Sequence, residues 1–272
     1  MDLNAIIHPK EKTYFTILLV VSIIIWLIPL GILIFILFNS PEMFGFVLLT
    51  IFIYGLIIGF VLWLISLYFE AILFGNTVEI NENQYPDLNN IVKDYTNRLG
   101  MHSKPKVFIY NGEGMVNAFA VRFLSKKYII LMGDLVDLML ERKKIMELNM
   151  IIGHEIGHHY AQHTALWKKI LLKPGKVVPF IGNAYNRACE LTADRIGYVL
   201  VKDLKSAQRG LISLSLGSKT LANGVNIQEF MNQDKKVPTF MGFIYKIFSS
   251  HPRMTRRVIE LANFSRMMKR NY

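Results

Sequence analysis

Leu148 to His163 reads L-N-M-I-I-G-H-E-I-G-H-H-Y-A-Q-H, a run that joins a helical apolar period to four imidazoles. Ile145, Leu148, Ile152 and Ile156 recur near the helical repeat, so this is a helix with a core-facing side. His154 and His158 are four apart and stack one turn above each other on one face. Two neutral imidazoles placed that way can take adjacent corners of a tetrahedral Zn²⁺ site. Glu155 stands three before His158, with its carboxylate beside such an ion, where it can take a proton from water. The same five-residue pattern also arises by chance in polar helices whose histidines are satisfied locally. A core-facing helix opposes that alternative, because buried imidazoles and carboxylates are costly unless bonded or metal-bound.

A catalytic zinc needs three protein ligands and one open position, so a third ligand is expected from a separate element. Arg187 to Leu200 reads as a helix with Glu190 and Asp194 one turn apart on the same face. Glu190 can be that third ligand. Asp194 can accept the other ring N–H of a ligating histidine, His154 in preference to His158, and so fix its tautomer. The alternative is a solvated acidic pair. His163 is five residues past His158, and at 100° per residue it belongs to another face, suited to a local or helix-end contact. His159 points away from the pair as well.

Composition narrows the class. The chain has 272 residues, 52% of them hydrophobic, and a single cysteine, Cys189. An intrachain disulfide and a thiolate zinc cluster are therefore excluded, and Cys189 reads as a small core residue. The formal charge is +11, but residues 1–74 hold two lysines and four acidic residues, so residues 75–272 carry +13. A basic domain of that kind suits an anionic leaflet. No phosphate-binding glycine loop, zinc-finger cysteine pattern or RNA-binding aromatic motif accompanies the charge, so no nucleic-acid partner is expected.

Tyr14 to Phe38 and Met43 to Phe69 are uncharged runs of 25 and 27 residues. Each is long enough to cross a hydrocarbon core of about 30 Å. The short turn Asn39-Ser40-Pro41-Glu42 predicts an antiparallel hairpin, with a tolerated kink at Pro29. Gly55 and Gly59 offer a notch for close approach of the first helix, or are simply tolerated glycines. Lys10 and Lys12 flank the first span and the turn has no Lys or Arg, which predicts a multi-pass membrane protein with both termini cytoplasmic. The chain then divides into a hairpin anchor over 1–74 and a cytoplasmic domain over 75–272.

Within that domain, Pro86 opens a helix that Gly100 ends, and 106–110, 118–123 and 128–132 read as strands. Asp134 is expected to cap a helix from about Leu135, with a break within Glu141–Lys144. Residues 164–189 are too charged for a further span, though Val177 to Ile181 could touch lipid or cover a cleft. Gly217 to Asn226 reads as a loop. Phe240, Phe243, Ile244 and Ile247 form an apolar face for lipid, cleft or core, and a basic helix follows from Arg253.

Four motifs in order, NAFA at 117–120, HExxH at 154–158, ELTAD at 190–194 and SSHP at 249–252, resemble the M48 family of integral-membrane zinc metallopeptidases, the HtpX/Ste24-like group. The likeness covers most of residues 75–265. It implies an α+β fold: a two-helix transmembrane hairpin followed by a mostly helical zincin-type domain with a small β-sheet. It implies one catalytic Zn²⁺ held by His154, His158 and Glu190, with Glu155 as general base and Asp194 behind the ligands. His251, just before Pro252, would lie near the ion as a donor to the developing oxyanion or an organiser of acidic groups. Arg257 matches the family's H-P-x-x-x-x-R spacing; it would pair with Asp194 or the acidic cluster, or bind substrate backbone, the alternative being a solvated arginine. Asn117 would hold a backbone or substrate amide, or serve a turn beside Gly114. The glycine-rich continuation after NAFA is replaced by Val121 to Lys127, which bears on substrate choice more than on chemistry.

The activity implied is hydrolysis of peptide bonds in membrane or membrane-proximal polypeptides, in protein quality control. Its rivals are CAAX-type prenyl-peptide processing, for which two spans are few, and a catalytically idle membrane scaffold or chaperone. An idle scaffold has no use for a base beside a complete ligand set.

Overall fold

Both uncharged runs are helical in the computed structural model of the chain, which describes residues 3–141, 145–178, 180–216 and 221–270. After a short α1 (Leu3–Ile6), α2 (Pro9–Asn39) and α3 (Pro41–Asn76) are separated only by Ser40. His8 caps α2 by accepting the Lys10 N–H at 3.1 Å, and Pro9 occupies the first turn, where its missing N–H costs nothing. The helix continues through Pro29. Both helices are long and apolar enough to cross a membrane, and most of their large apolar side chains from Ile23 to Leu67 are exposed. Such a surface suits a lipid solvent. Nothing lies within 4 Å of where a Cβ would stand on Gly55 or Gly59, so neither glycine is a notch for α2.

The outer ends of the hairpin are built into the domain that follows. It comprises β1 (Val78–Ile80), α4 (Pro86–Arg98), β2 (Lys106–Tyr110), β3 (Ala118–Phe123), β4 (Lys126–Met132) and α5 (Gly133–Glu141). Then come α6 (Ile145–Tyr160), α7 (Leu166–Leu172), α8 (Ile181–Val201), α9 (Leu204–Leu216), α10 (Ile227–Asn232), α11 (Thr239–Phe248) and α12 (Met254–Arg270). The strands form one mixed sheet in the order β1-β2-β4-β3, with β2 and β4 parallel and the other pairs antiparallel. Alternation along β4 serves two faces: Ile129 and Leu131 join the main core with α6, while Tyr128 and Ile130 pack under Phe69 and Leu73 at the end of α3. Glu70 accepts hydrogen bonds from the Tyr128 hydroxyl and, at 2.7 Å, from Lys126 Nζ. At the other end, α2 lies against α8: Leu18 packs with Tyr185 and Cys189, and the His8 N–H donates to Thr192 Oγ1 at 3.0 Å.

Several local expectations change. α5 starts at Gly133, so Asp134 sits in its first turn instead of capping it, and accepts the Gly114 N–H at 2.9 Å. α5 ends at Glu141 and α6 starts at Ile145; of the expected break, Glu141–Lys144, residues 142–144 lie outside the described ones. Much of the expected loop, 217–220, also lies outside them, and Leu221–Gly224 is a 3₁₀ turn. Part of 164–189 packs on the first membrane helix: Trp26 Nε1 donates to the Leu171 carbonyl at 3.3 Å, and the Gly175 N–H to Ser22 Oγ at 3.0 Å. A Cβ on Gly175 would stand 2.7 Å from the Leu18 carbonyl, so glycine is needed for this contact. Phe240 and Phe243 are exposed on α11, with Ile244 and Ile247 half-buried. Asn183 Nδ2 ties α11 to α8 through the Ile247 and Phe248 carbonyls, at 3.2 and 3.1 Å.

Candidate metal centre

Glycines on α6 and α8 let the two helices meet backbone to backbone. A Cβ on Gly197 would stand 2.9 Å from the Met150 carbonyl and 3.1 Å from the His154 nitrogen; one on Gly157 would stand 3.3 Å from Ala193 Cα. This approach carries α8's acidic face to α6's imidazoles. We expect Gly197→Ala to cost about 1–3 kcal/mol of overpacking, in spite of alanine's better helix propensity, and to weaken metal binding as the helices part. Thermal denaturation and metal titration check this, and wild-type values for both would show that the contact has slack.

His154 Nε2, His158 Nε2 and the Glu190 carboxylate converge, with all donor atoms within 4.8 Å of one another. The imidazole nitrogens are 3.1 Å apart, and the gaps to Glu190 are 3.7 Å from His154 and 3.5 Å from His158. Nitrogen and oxygen ligands bound at about 2.0–2.1 Å on a tetrahedron stand about 3.4 Å apart. The donor set therefore fits a zinc-sized ion at three corners of a tetrahedron.

The far nitrogen of each imidazole is also held. His154 Nδ1 is 2.9 Å from Asp194 Oδ1, so an Nδ1–H donated there leaves the Nε2 lone pair for an ion. Arg257 grips the same carboxylate as a fork, Nε to Oδ2 at 2.8 Å and Nη2 to Oδ1 at 2.6 Å, and its Nη1 lies 3.3 Å from Glu190. It is buried, not solvated. His158 Nδ1 meets His163 Nδ1 at 2.9 Å. His163 makes the local contact expected of it, but on the face of His158 and not away from it, because α6 stops at Tyr160 and the chain doubles back. His159 does turn away: its Nε2 bonds the Tyr128 carbonyl at 2.9 Å, and its Nδ1 pairs with Thr164 Oγ1 at 3.0 Å.

Burial and charge set the protonation states. Burial pushes the Glu155 carboxyl up to about 7, although the Ala120 N–H donates to it. Burial holds His158 well below its ordinary value, leaving the neutral ring that a ligand requires. For Glu190 burial acts against the charge, but Arg257 and a bond from His251 hold it well below the carboxylate range. Asp194 likewise stays low against burial because of the Arg257 fork. Burial opposes a charged His154, and the Asp194 bond raises it regardless.

Residues 82–173 and 164–265 match the sequence profile of peptidase family M48. The chain belongs to peptidase family M48. It is similar to the plastoglobule-localized metallopeptidase 48 of Arabidopsis thaliana, 24% identical over 218 residues that cover 72% of this chain and 61% of that one. A protease HtpX homolog of Pyrobaculum aerophilum is 33% identical over 132 residues, 48% of this chain and 36% of that one. The crystal structure of S. mikatae Ste24p shares the fold with a TM-score of 0.50 and 16% identity, covering 85% of this chain and 62% of that one. The chain thus spans less than two thirds of the length of these relatives.

The other two M48-like motifs lie at the rim. His251 Nδ1 is 3.4 Å from Glu190 Oε1, with its ring largely exposed, and the bond to Glu190 raises its affinity for a proton. Pro252 does not open the final helix, which begins at Met254. Arg187 Nη1, donating to the Ser249 carbonyl at 2.6 Å, fixes this loop to α8. Asn117 is exposed; its Oδ1 accepts the Ala118 N–H at 2.9 Å, and its carbonyl accepts the Met132 N–H at 3.0 Å. It thus ends the β3–β4 ladder. Arg253, expected only as the start of a basic helix, clamps Asp234 through Nε and Nη2 at 3.2 and 3.0 Å. That contact has no sequence signal.

Proposed function

We propose that this M48 chain is a membrane-anchored zinc endopeptidase that cleaves membrane or membrane-proximal polypeptides on the cytoplasmic side, in protein quality control. The observation that carries the reading is the convergence of His154, His158 and Glu190 on one ion-sized space with Glu155 beside them. In this reading those three residues hold one Zn²⁺, which when bound lowers the pKa of water and polarises a scissile carbonyl. Glu155 takes the proton from the attacking water and returns it to the leaving amine, a task suited to a carboxyl at about 7. His251 at the rim donates to the oxygen of the tetrahedral intermediate. Arg257 and Asp194 keep the His154 ring in its ligating tautomer.

Substrate backbone would enter as an added strand. β3 is at the edge of the sheet, paired on one side by β4, and Ala120 borders Glu155. Asn117 at its end would hold a substrate amide. Residues 1–74 form the bilayer anchor and 75–272 the peptidase domain, with the first turns of α2 and the last of α3 shared between them. Lys10 and Lys12 support a cytoplasmic placement of both termini.

Purified full-length protein in detergent tests the proposal. We expect one zinc per chain by elemental analysis and cleavage of an unfolded polypeptide that stops on chelation and returns with zinc. Absence of zinc, or cleavage indifferent to its removal, would overturn the reading.

A further inference from the structure

The imidazole of His158 has a partner that the H-E-x-x-H pattern does not supply. Gln162, with φ at 59°, adopts the left-handed conformation that closes a helix. Its N–H donates to the His159 carbonyl at 3.2 Å, and the His163 N–H reaches back to the His158 carbonyl at 2.9 Å. That closure folds His163 onto the face from which an unbroken helix would carry it away. Its Nδ1 then lies 2.9 Å from His158 Nδ1, and its Nε2 lies 3.0 Å from Glu11 Oε1. The side chains of His163 and Glu11 are only 6% and 5% exposed.

One arrangement of protons satisfies both contacts when His158 offers Nε2 to an ion. Its proton is then on Nδ1 and is donated to His163 Nδ1. The proton of His163 is on Nε2 and is donated to the Glu11 carboxylate. We infer that Glu11, acting through His163, is a positioning residue of the metal centre, fixing the tautomer and ring orientation of His158. Asp194 does the same for His154 directly, so each ligand imidazole is backed by a carboxylate. Glu11 lies in the first turn of α2, three residues before the uncharged run begins. The membrane helix is thereby joined to the metal centre through two hydrogen bonds. The inference rests on the zinc reading above.

Glu11 and His163 also lie with Cys189 in a group whose donor atoms are within 4.8 Å of one another, so a cation held there is the competing account. Zinc affinity separates the two, measured by chelator competition on full-length protein in detergent. Glu11→Gln, nearly isosteric, and His163→Gln are each expected to weaken zinc binding about 10–100-fold, and the double variant no further than the weaker single one. Cys189→Ser should bind as wild type, with one zinc per chain. In cobalt-substituted protein the visible band should move in the Glu11 and His163 variants and stay in Cys189→Ser, a shift that a general loss of stability would not produce. Wild-type affinity and spectrum in both Glu11→Gln and His163→Gln would overturn the inference. So would a second zinc per chain that Cys189→Ser removes. If Glu11→Gln does not fold, His163→Gln decides alone. A wild-type chain that binds no zinc would instead fail the proposed function itself.

Discussion

Glu155→Gln is expected to bind zinc as the unaltered chain does and to lose about 10²–10⁴-fold in kcat on an unfolded polypeptide. The amide keeps the shape of the side chain and an oxygen for the Ala120 N–H, so the packing between α6 and β3 survives. What it removes is a carboxyl whose affinity for protons burial has brought to about 7. A carboxylate of ordinary acidity would take the proton from water reluctantly, and a much more basic one would not release it to the leaving amine. Elemental analysis with a cleavage time course is the measurement. Retained cleavage would assign the base to another residue, and zinc lost along with cleavage would mean that Glu155 helps to hold the ion.

What was legible in the chain follows from how local each signal is. His154 and His158 could be paired because a four-residue interval on a helix fixes their relation without tertiary information. Glu190 and Asp194 could be grouped for the same reason, although bringing them to the histidines depends on glycine contacts such as Gly197 against Met150. β2 and β3 were readable from apolar runs bounded by turn residues, whereas the three residues of β1 carry too little pattern. The face that His163 presents is not legible, because it depends on where α6 stops. The residue at the left-handed closing position is Gln162, not the glycine that would announce it. Glu11, beside Lys10 and Lys12, has the pattern of the solvated flank of a membrane span, and only tertiary packing buries it. Hydropathy likewise marks where lipid begins but not where the domain ends, since Phe69 and Leu73 form part of the second face of the sheet.

Arg257→Met should have the largest effect on stability, about 3–5 kcal/mol in metal-free protein. The guanidinium is buried with two charge-assisted bonds to Asp194 and one ion pair to Glu190. Methionine fills much of the volume and removes the charge, so both carboxylates are left in the interior without their cation. For a domain of this size, about 2–4 °C per kcal/mol implies a fall in apparent Tm of about 6–20 °C. The pH dependence has a definite sign. Asp194 titrates below its ordinary value in the folded chain, so its stabilisation is present above about pH 4 and is lost as pH falls through the lowered value. In the variant the orphaned carboxylate is a liability above that pH and is relieved by protonation. The gap between the two proteins should therefore be widest near neutrality and close on acidification. Adding Asp194→Asn to Arg257→Met should restore part of the loss in metal-free protein, because the buried charge is removed together with its partner. A single variant whose Tm stays within 2 °C of wild type, or a gap that widens in acid, would show that Arg257 does not neutralise this cluster.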